Sequence, residues 1–156
     1  MKITKSLCIV IVACSAGHRL PPFDGDIPLG SWGATGAGMT VTETGLHLHI
    51  GCTNGDVVGR VPLGAQGEFD VSGSYVLRAY PVAVGPSLPA RFTGRLQGNA
   101  VTITATVDDT VLHQTVIRGP VTVHYGEEAR LGPCPICVRP MGTAASQQRA
   151  ASPTAR

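Results

Sequence analysis

Two cysteines near the carboxyl end have the spacing of a redox dithiol. Cys134 and Cys137 are separated by two residues, an arrangement in which a helix amino terminus can lower the pKa of the attacking thiol. No strand-helix-strand pattern surrounds this pair, and no second ligand pair accompanies it at the spacing that structural zinc requires. We therefore rank a thiol oxidoreductase using Cys134 and Cys137 third among the functional hypotheses.

Two histidines could share a metal ion. His47 and His49 lie two residues apart in a segment that alternates apolar and polar residues, so on a strand their rings would project from the same face. No aspartate or glutamate is fixed nearby by the sequence to complete a ligand set. We predict that both rings face solvent, with weak metal binding at most and no cofactor.

The sequence lacks the motifs of the common enzyme classes. It contains no nucleophile elbow, phosphate-binding loop or zincin helix, so we assign no catalytic residue and predict that the protein is not an enzyme. The chain has a formal net charge of +2, but residues 24–130 contain ten acidic residues against six arginines. A domain with that acidic excess lacks the basic surface that binds phosphate backbones, so we predict no nucleic-acid partner.

The amino terminus resembles a bacterial export signal. A short positive region precedes an apolar run that is too short to span a bilayer as a helix. The run ends at Ala13 and Cys14, which resembles a lipobox, where the cysteine is acylated and becomes the new amino terminus. We expect a signal peptide over 1–13, a lipid anchor on Cys14 and a linker over 14–29. The alternative is ordinary secretion, with cleavage after Ala16.

The middle of the chain has the pattern of short strands. Apolar and polar residues alternate in runs of five to eight, each closed by a turn signal, as in half-buried antiparallel strands. These signals predict hairpins at Asn54-Gly55 and Gly98-Asn99 and a turn at Gly73. They also predict two separate late strands, over 111–118 and 120–124.

About eight strands, spaced by roughly eight to twelve residues, favour a small barrel or sandwich. We predict an all-β domain over 30–138 that forms an antiparallel up-and-down β-barrel, because consecutive hairpins build a meander and closing it removes exposed edges. A β-sandwich is the alternative. Residues 139–156 are rich in Ala, Ser, Gln and Arg without periodicity, so we predict a disordered tail there.

Three cysteines remain for the domain once Cys8 and Cys14 are assigned to the signal and the anchor. Cys52 is in phase with the buried face of its predicted strand, and the other two follow the last strand. Either Cys134 or Cys137 could therefore bond to Cys52 and staple the chain end to an early strand, which leaves one thiol over.

Three segments resemble a group of small, uncharacterised bacterial exported proteins and lipoproteins. The group opens on a Gly-x-Trp-Gly segment, here residues 30–33, and has a Phe-x-Val-x-Gly-x-Tyr strand pair, here residues 69–75. A Pro-Ala-Arg-Phe-Thr-Gly-Arg segment follows at 89–95. The resemblance implies that Cys52 and Cys134 are bonded, and it implies no activity.

Our leading hypothesis is an exported envelope lipoprotein without enzymatic activity, a binding or accessory module for an unknown protein or small molecule. Its lipid would hold it at the membrane, with the outer membrane favoured; the alternative is a secreted protein. A small barrel either fills its interior with side chains or holds an apolar ligand. The second hypothesis is a barrel-type inhibitor of a lysozyme or protease, with the proline-rich connection over 81–89 as its inhibitory segment.

Overall fold

A computed structural model of the chain describes residues 25–77 and 85–134. These residues form eight antiparallel strands that close into one barrel, in which each strand pairs with its neighbours in sequence and the last pairs with the first. The up-and-down barrel predicted from the sequence is therefore confirmed. The strands are β1 (Gly30–Ala34), β2 (Ala37–Thr42), β3 (Gly45–Ile50), β4 (Thr53–Val58), β5 (Glu68–Val76), β6 (Leu88–Gln97), β7 (Ala100–Asp109) and β8 (Gln114–Tyr125).

Several predictions concern residues outside the described ranges. They are the signal peptide over 1–13, the acylation of Cys14, the thiol of Cys137 and the tail over 139–156. Within the described ranges no helix is long and apolar enough to cross a membrane.

Alternation of side chains along each strand separates a buried interior from a polar exterior. In β7 the side chains of Val101, Ile103, Ala105 and Val107 are 0% exposed, while the threonines between them point outward. Branched residues on the inner face and hydroxyls on the outer face suit a pleated strand that is buried on one side. The amphipathic pattern of the sequence thus fixes which face of each strand closes around the core.

Aromatic rings fill the interior of the barrel. Tyr75 and Phe92 are fully buried, with ring centroids 6.2 Å apart. Trp32 is also buried and donates a hydrogen bond from Nε1 to the Pro28 carbonyl at 3.3 Å, as a buried indole requires. Because these rings pack against one another and against the aliphatic side chains of the strands, the interior is a side-chain core.

Two glycines that were predicted to form turns lie inside strands instead. Asn54 and Gly55 belong to β4, and the turn between β3 and β4 falls at Gly51 and Cys52. Gly73 lies in the middle of an unbroken β5. A Cβ atom on Gly55 would lie 2.4 Å from Cδ2 of Tyr75. This glycine therefore allows close packing in the core rather than a change of chain direction.

The two late strands predicted over 111–118 and 120–124 are one strand, β8. Its pairing with β7 shifts register between Ile103 and Ala105. Opposite this shift lies Gly119, with a φ of 94°, a conformation that glycine adopts without steric cost. The bulge bends the strand and lets it continue. The preceding residues 111–113 form the turn from β7 rather than a strand.

Both ends of the described chain pack against the barrel. Residues 25–29 were assigned to the linker, but Ile27 is 1% exposed and donates a backbone hydrogen bond to the Val61 carbonyl. The proline-rich connection was assigned to 81–89, but β6 begins at Leu88; residues 78–84 lie outside the described ranges. At the other end Cys134 is bonded to Cys52, with Cα atoms 5.4 Å apart.

Candidate functional sites

The predicted histidine pair lies on the outer face of β3, beside β4. His47 is directly opposite Asp56 in the register of these two strands. Nδ1 of His47 lies 2.5 Å from Oδ1 of Asp56, and both side chains are about half exposed. The carboxylate accepts the Nδ1 proton, which fixes the orientation and the tautomer of the ring.

The second histidine completes a hydrogen-bonded chain of three side chains. Nε2 of His47 lies 2.8 Å from Nε2 of His49, and the rings are nearly perpendicular, with centroids 4.6 Å apart. Since Nδ1 of His47 carries the proton bonded to Asp56, its Nε2 accepts the proton of the neutral His49 ring. The two Nε2 atoms therefore face each other across the outer surface of one strand.

A groove of about 340 Å³ runs beside this cluster. Both histidines line it together with Thr40 from β2 and with Glu127 and Glu128 from the segment after β8. Burial lowers the pKa of His49 from its ordinary value, and His47 lowers it further, while the charge of Asp56 acts in the opposite direction. His49 is thus held as a neutral imidazole at neutral pH.

The chain segment after β8 forms one wall of this groove because two glycines make room for it. A Cβ atom on Gly33 would lie 2.4 Å from the Glu127 carbonyl oxygen, and one on Gly38 would lie 2.5 Å from Cβ of Ala129. The segment continues to Arg130, whose backbone bonds to Ala34 and Gly36. The outer face of β1 and β2 is therefore covered by backbone, not by side chains.

The cluster does not form a hydrolytic triad. Thr40 lies opposite His47 in the register of β2 and β3, which brings a hydroxyl, an imidazole and a carboxylate into one row. Both ring nitrogens of His47 are bonded to other side chains, Asp56 and His49, so this ring does not activate the hydroxyl. Within residues 25–77 and 85–134, no group of three or more His, Cys, Asp or Glu side chains is placed to hold a metal ion.

A second candidate site is the hairpin formed by β7 and β8. The pairing of β6 with β7 ends at Ala90 and Val107, whereas β7 and β8 remain paired to Asp109 and Gln114. On the other side β8 pairs with β1 only near Tyr125. At its end the hairpin is therefore paired only within itself.

A buried carboxylate organises the tip of this hairpin. Asp109 is 1% exposed, and its Oδ1 accepts hydrogen bonds from the backbone nitrogens of Val111 and Leu112, each at 3.1 Å. His113 follows with a φ of 52°. Hydrogen bonds to a charged, buried acceptor hold the turn in one conformation, so its apolar side chains are presented on a preorganised backbone.

Three apolar side chains of this hairpin face solvent. Val111 and Leu112 at the tip are 52% and 56% exposed, and Ile117 on β8 is 64% exposed. We call these three residues the apolar tip. Two of them are adjacent in the turn and the third lies on β8 five residues later, which distinguishes them from Val58, an exposed residue on β4. A cluster of this kind is typical of a surface that binds another molecule.

The cysteine pair predicted from spacing is not present as a free dithiol. The sulfur of Cys134 is bonded to that of Cys52, the pairing that the resemblance implied. The Cys134–Cys137 dithiol of the oxidoreductase hypothesis would require this bond to open first.

The histidine pair was predicted from the sequence, but two features were not: the contact of His47 with Asp56 and the turn at the tip of the β7–β8 hairpin. Asp56 was not recognised as the partner of His47, although nine residues across a short hairpin is a spacing that brings outward side chains together. Residues 111–113 were predicted to lie in a strand over 111–118, whereas they form the turn before β8. Comparisons of the chain with protein-family models, curated proteins and solved structures found no match.

Proposed function

We propose that the protein is an exported, non-enzymatic module of the bacterial envelope that binds a partner protein through the apolar tip of the β7–β8 hairpin. The observation that carries this proposal is the combination of Val111 and Leu112 exposed at the tip with Asp109 buried beneath them. Apolar side chains on a rigid turn lose little conformational entropy when they bind, which favours their use as a contact surface.

The core supports an external rather than an internal binding site. Tyr75 and Phe92 occupy the interior, and two glycines of the neighbouring strands, Gly55 and Gly73, are needed to accommodate the rings. An apolar ligand would have to displace these side chains. Binding at the outer surface needs no such rearrangement, so we favour a macromolecular partner over a small apolar ligand.

Export and lipid attachment belong to the same proposal. The positive and apolar segments before Cys14 support a signal peptide, and the Ala13-Cys14 junction supports acylation. A disulfide between Cys52 and Cys134 is compatible with an oxidising compartment outside the cytoplasm. We expect the domain to be held at the membrane, with the outer membrane favoured, or to be secreted if Cys14 is not acylated.

Affinity purification with matched variants tests the binding surface. Leu112→Asp and Ile117→Asp place charges on the apolar tip, whereas Val58→Asp places one on an even more exposed strand position outside it. Envelope extract of the native bacterium is passed over each immobilised protein, and bound proteins are quantified by mass spectrometry. We expect one partner to be retained by the parent and by Val58→Asp and to be lost from both tip variants. Retention of the same proteins by all four would contradict the proposal.

The hairpin also supports the inhibitor as a second candidate. A turn held by a buried Asp109 could enter the cleft of a lysozyme or protease, as preorganised loops of inhibitors do. Residual enzyme activity is measured across a panel of both classes at stoichiometric excess of the protein. Inhibition by the parent and its loss in Leu112→Asp would favour this candidate, and unchanged activity throughout the panel would count against it.

A further inference from the structure

We propose that His47 and His49 form a binding site for a divalent transition-metal ion, with copper(II) preferred over zinc. The site lies on the outer face of β3 and does not involve the β7–β8 hairpin, so it is independent of the proposed binding function. The two rings supply two nitrogen ligands, and water supplies the remaining positions.

The distance between the two nitrogens selects the coordination geometry. The Nε2 atoms are 2.8 Å apart. Two imidazole nitrogens on adjacent corners of a square-planar or octahedral ion are about 2.9 Å apart, whereas two corners of a tetrahedron are about 3.3 Å apart. Because the 2.8 Å separation is that of a hydrogen bond between the rings, a tetragonal copper(II) ion would replace the shared proton with almost no change in the separation, whereas a tetrahedral ion would require the nitrogens to move apart. Copper(II) also binds nitrogen ligands more tightly than the other divalent ions of its row.

Asp56 supplies the supporting contact that histidine ligands usually have. Its carboxylate accepts the Nδ1 proton of His47, which leaves the lone pair on Nε2 and fixes the orientation of the ring. The contact between His47 and Asp56 follows from fixed positions in the sheet, since the two residues pair directly across β3 and β4. The first ligand is therefore oriented before the metal binds.

The groove gives a cation access and attracts it. Its lining includes both histidines together with residues Glu127 and Glu128, and the negative charges of these residues and of Asp56 favour a positive ion in this part of the surface. To bind the metal, neutral His49 moves its proton from Nε2 to Nδ1, so no net proton is released. Because a metal ion and a proton compete for the same ring nitrogens, binding should weaken on acidification.

Copper(II) titration of the full, oxidised chain tests the site. All proteins carry Cys137→Ser and His18→Asn, which remove two other ligands outside the described ranges. Affinity is measured by calorimetry, and electron paramagnetic resonance reports the bound nitrogens. The variants are His47→Gln, His49→Gln, their double variant and Asp56→Asn. His113→Asn is the matched control because it removes an exposed histidine and asparagine tolerates the positive φ of that position.

We expect one copper(II) ion with two imidazole nitrogens, weaker zinc binding, and at least about tenfold weaker copper binding in each single histidine variant. Asp56→Asn should weaken binding by about 10-fold to 100-fold, as loss of a supporting carboxylate does, and His113→Asn should leave it unchanged. A double variant that binds copper(II) as tightly as its background would overturn the proposal, as would zinc binding that is tighter than copper binding. Broadening of the His47 and His49 ring signals by substoichiometric copper(II) provides the same test without any variant.

Discussion

Gly55→Ala should destabilise the barrel although the change adds only one methyl group. The new Cβ would lie 2.4 Å from Cδ2 of Tyr75 and 2.7 Å from Cζ of Phe92, both below the separation of carbon atoms in contact. Both rings are 0% exposed, so neither can move into solvent. Overpacking of this kind costs about 1–3 kcal/mol. The reduced entropy of the unfolded alanine chain offsets up to about 1 kcal/mol of that cost.

Equilibrium urea unfolding with the disulfide intact measures this effect. Gly132→Ala is the matched control, because a Cβ atom there meets nothing within 4 Å and the backbone is not in the left-handed region. The free energy of unfolding should fall in Gly55→Ala and stay the same or rise slightly in the control. Phe92→Leu should lower the free energy of unfolding by less in the Gly55→Ala background than in the parent, since the smaller side chain relieves the contact. Equal stability of the two glycine variants would refute the packing explanation.

Three further predictions concern the bridge, the hairpin and the histidine cluster. Replacing Cys52 and Cys134 by serine should lower the free energy of unfolding by roughly 4 to 5 kcal/mol in the chain-entropy model, because the bridge closes a separation of 82 residues; urea curves with and without reductant test this. Asp109→Ala should cost about 1.5–3 kcal/mol, the usual value of hydrogen bonds to a buried charge, and should speed hydrogen exchange at the two tip amides. His49 should titrate below 6.5 by NMR, because burial lowers its pKa. Its pKa should fall further in Asp56→Asn, because the charge of Asp56 raises it. In the parent protein the lowered pKa means that the folded chain binds fewer protons than the unfolded chain, so stability should decrease as the pH drops below about 6.5.

The architecture was predictable because it depends on a pattern that extends over whole strands. From Val101 to Val107 in β7 every second residue is apolar and the residues between them are threonines, so both the face and the element follow from the period of two. Repetition of that pattern at regular intervals favoured a meander, and closure of a meander yields the observed barrel.

Strand boundaries were less predictable because glycine has two uses. Asn54-Gly55 is a strong hairpin signal in a local reading. In the folded protein Gly55 lies beneath Tyr75 and Phe92, which come from strands far along the chain. Whether a glycine turns the chain or makes room for a ring depends on such distant residues, and a local signal carries no information about them.

The candidate sites depend on cross-strand register in the same way. The pairing of His47 and His49 required only their spacing on one strand, so it could be anticipated. The contact with Asp56 required the turn between β3 and β4 to fall at Gly51 and Cys52, which the sequence placed elsewhere. A shift in the turn changes which side chains meet across the hairpin.

Site-specific photo-crosslinking in living cells tests the central claim, binding through the apolar tip, most directly. A photoreactive phenylalanine analogue replaces Leu112 in one strain and Val58 in another, because both positions are apolar and exposed. The account predicts one discrete protein adduct from position 112 and none from position 58. Adducts of equal yield at both positions, or an adduct only at position 58, would contradict it.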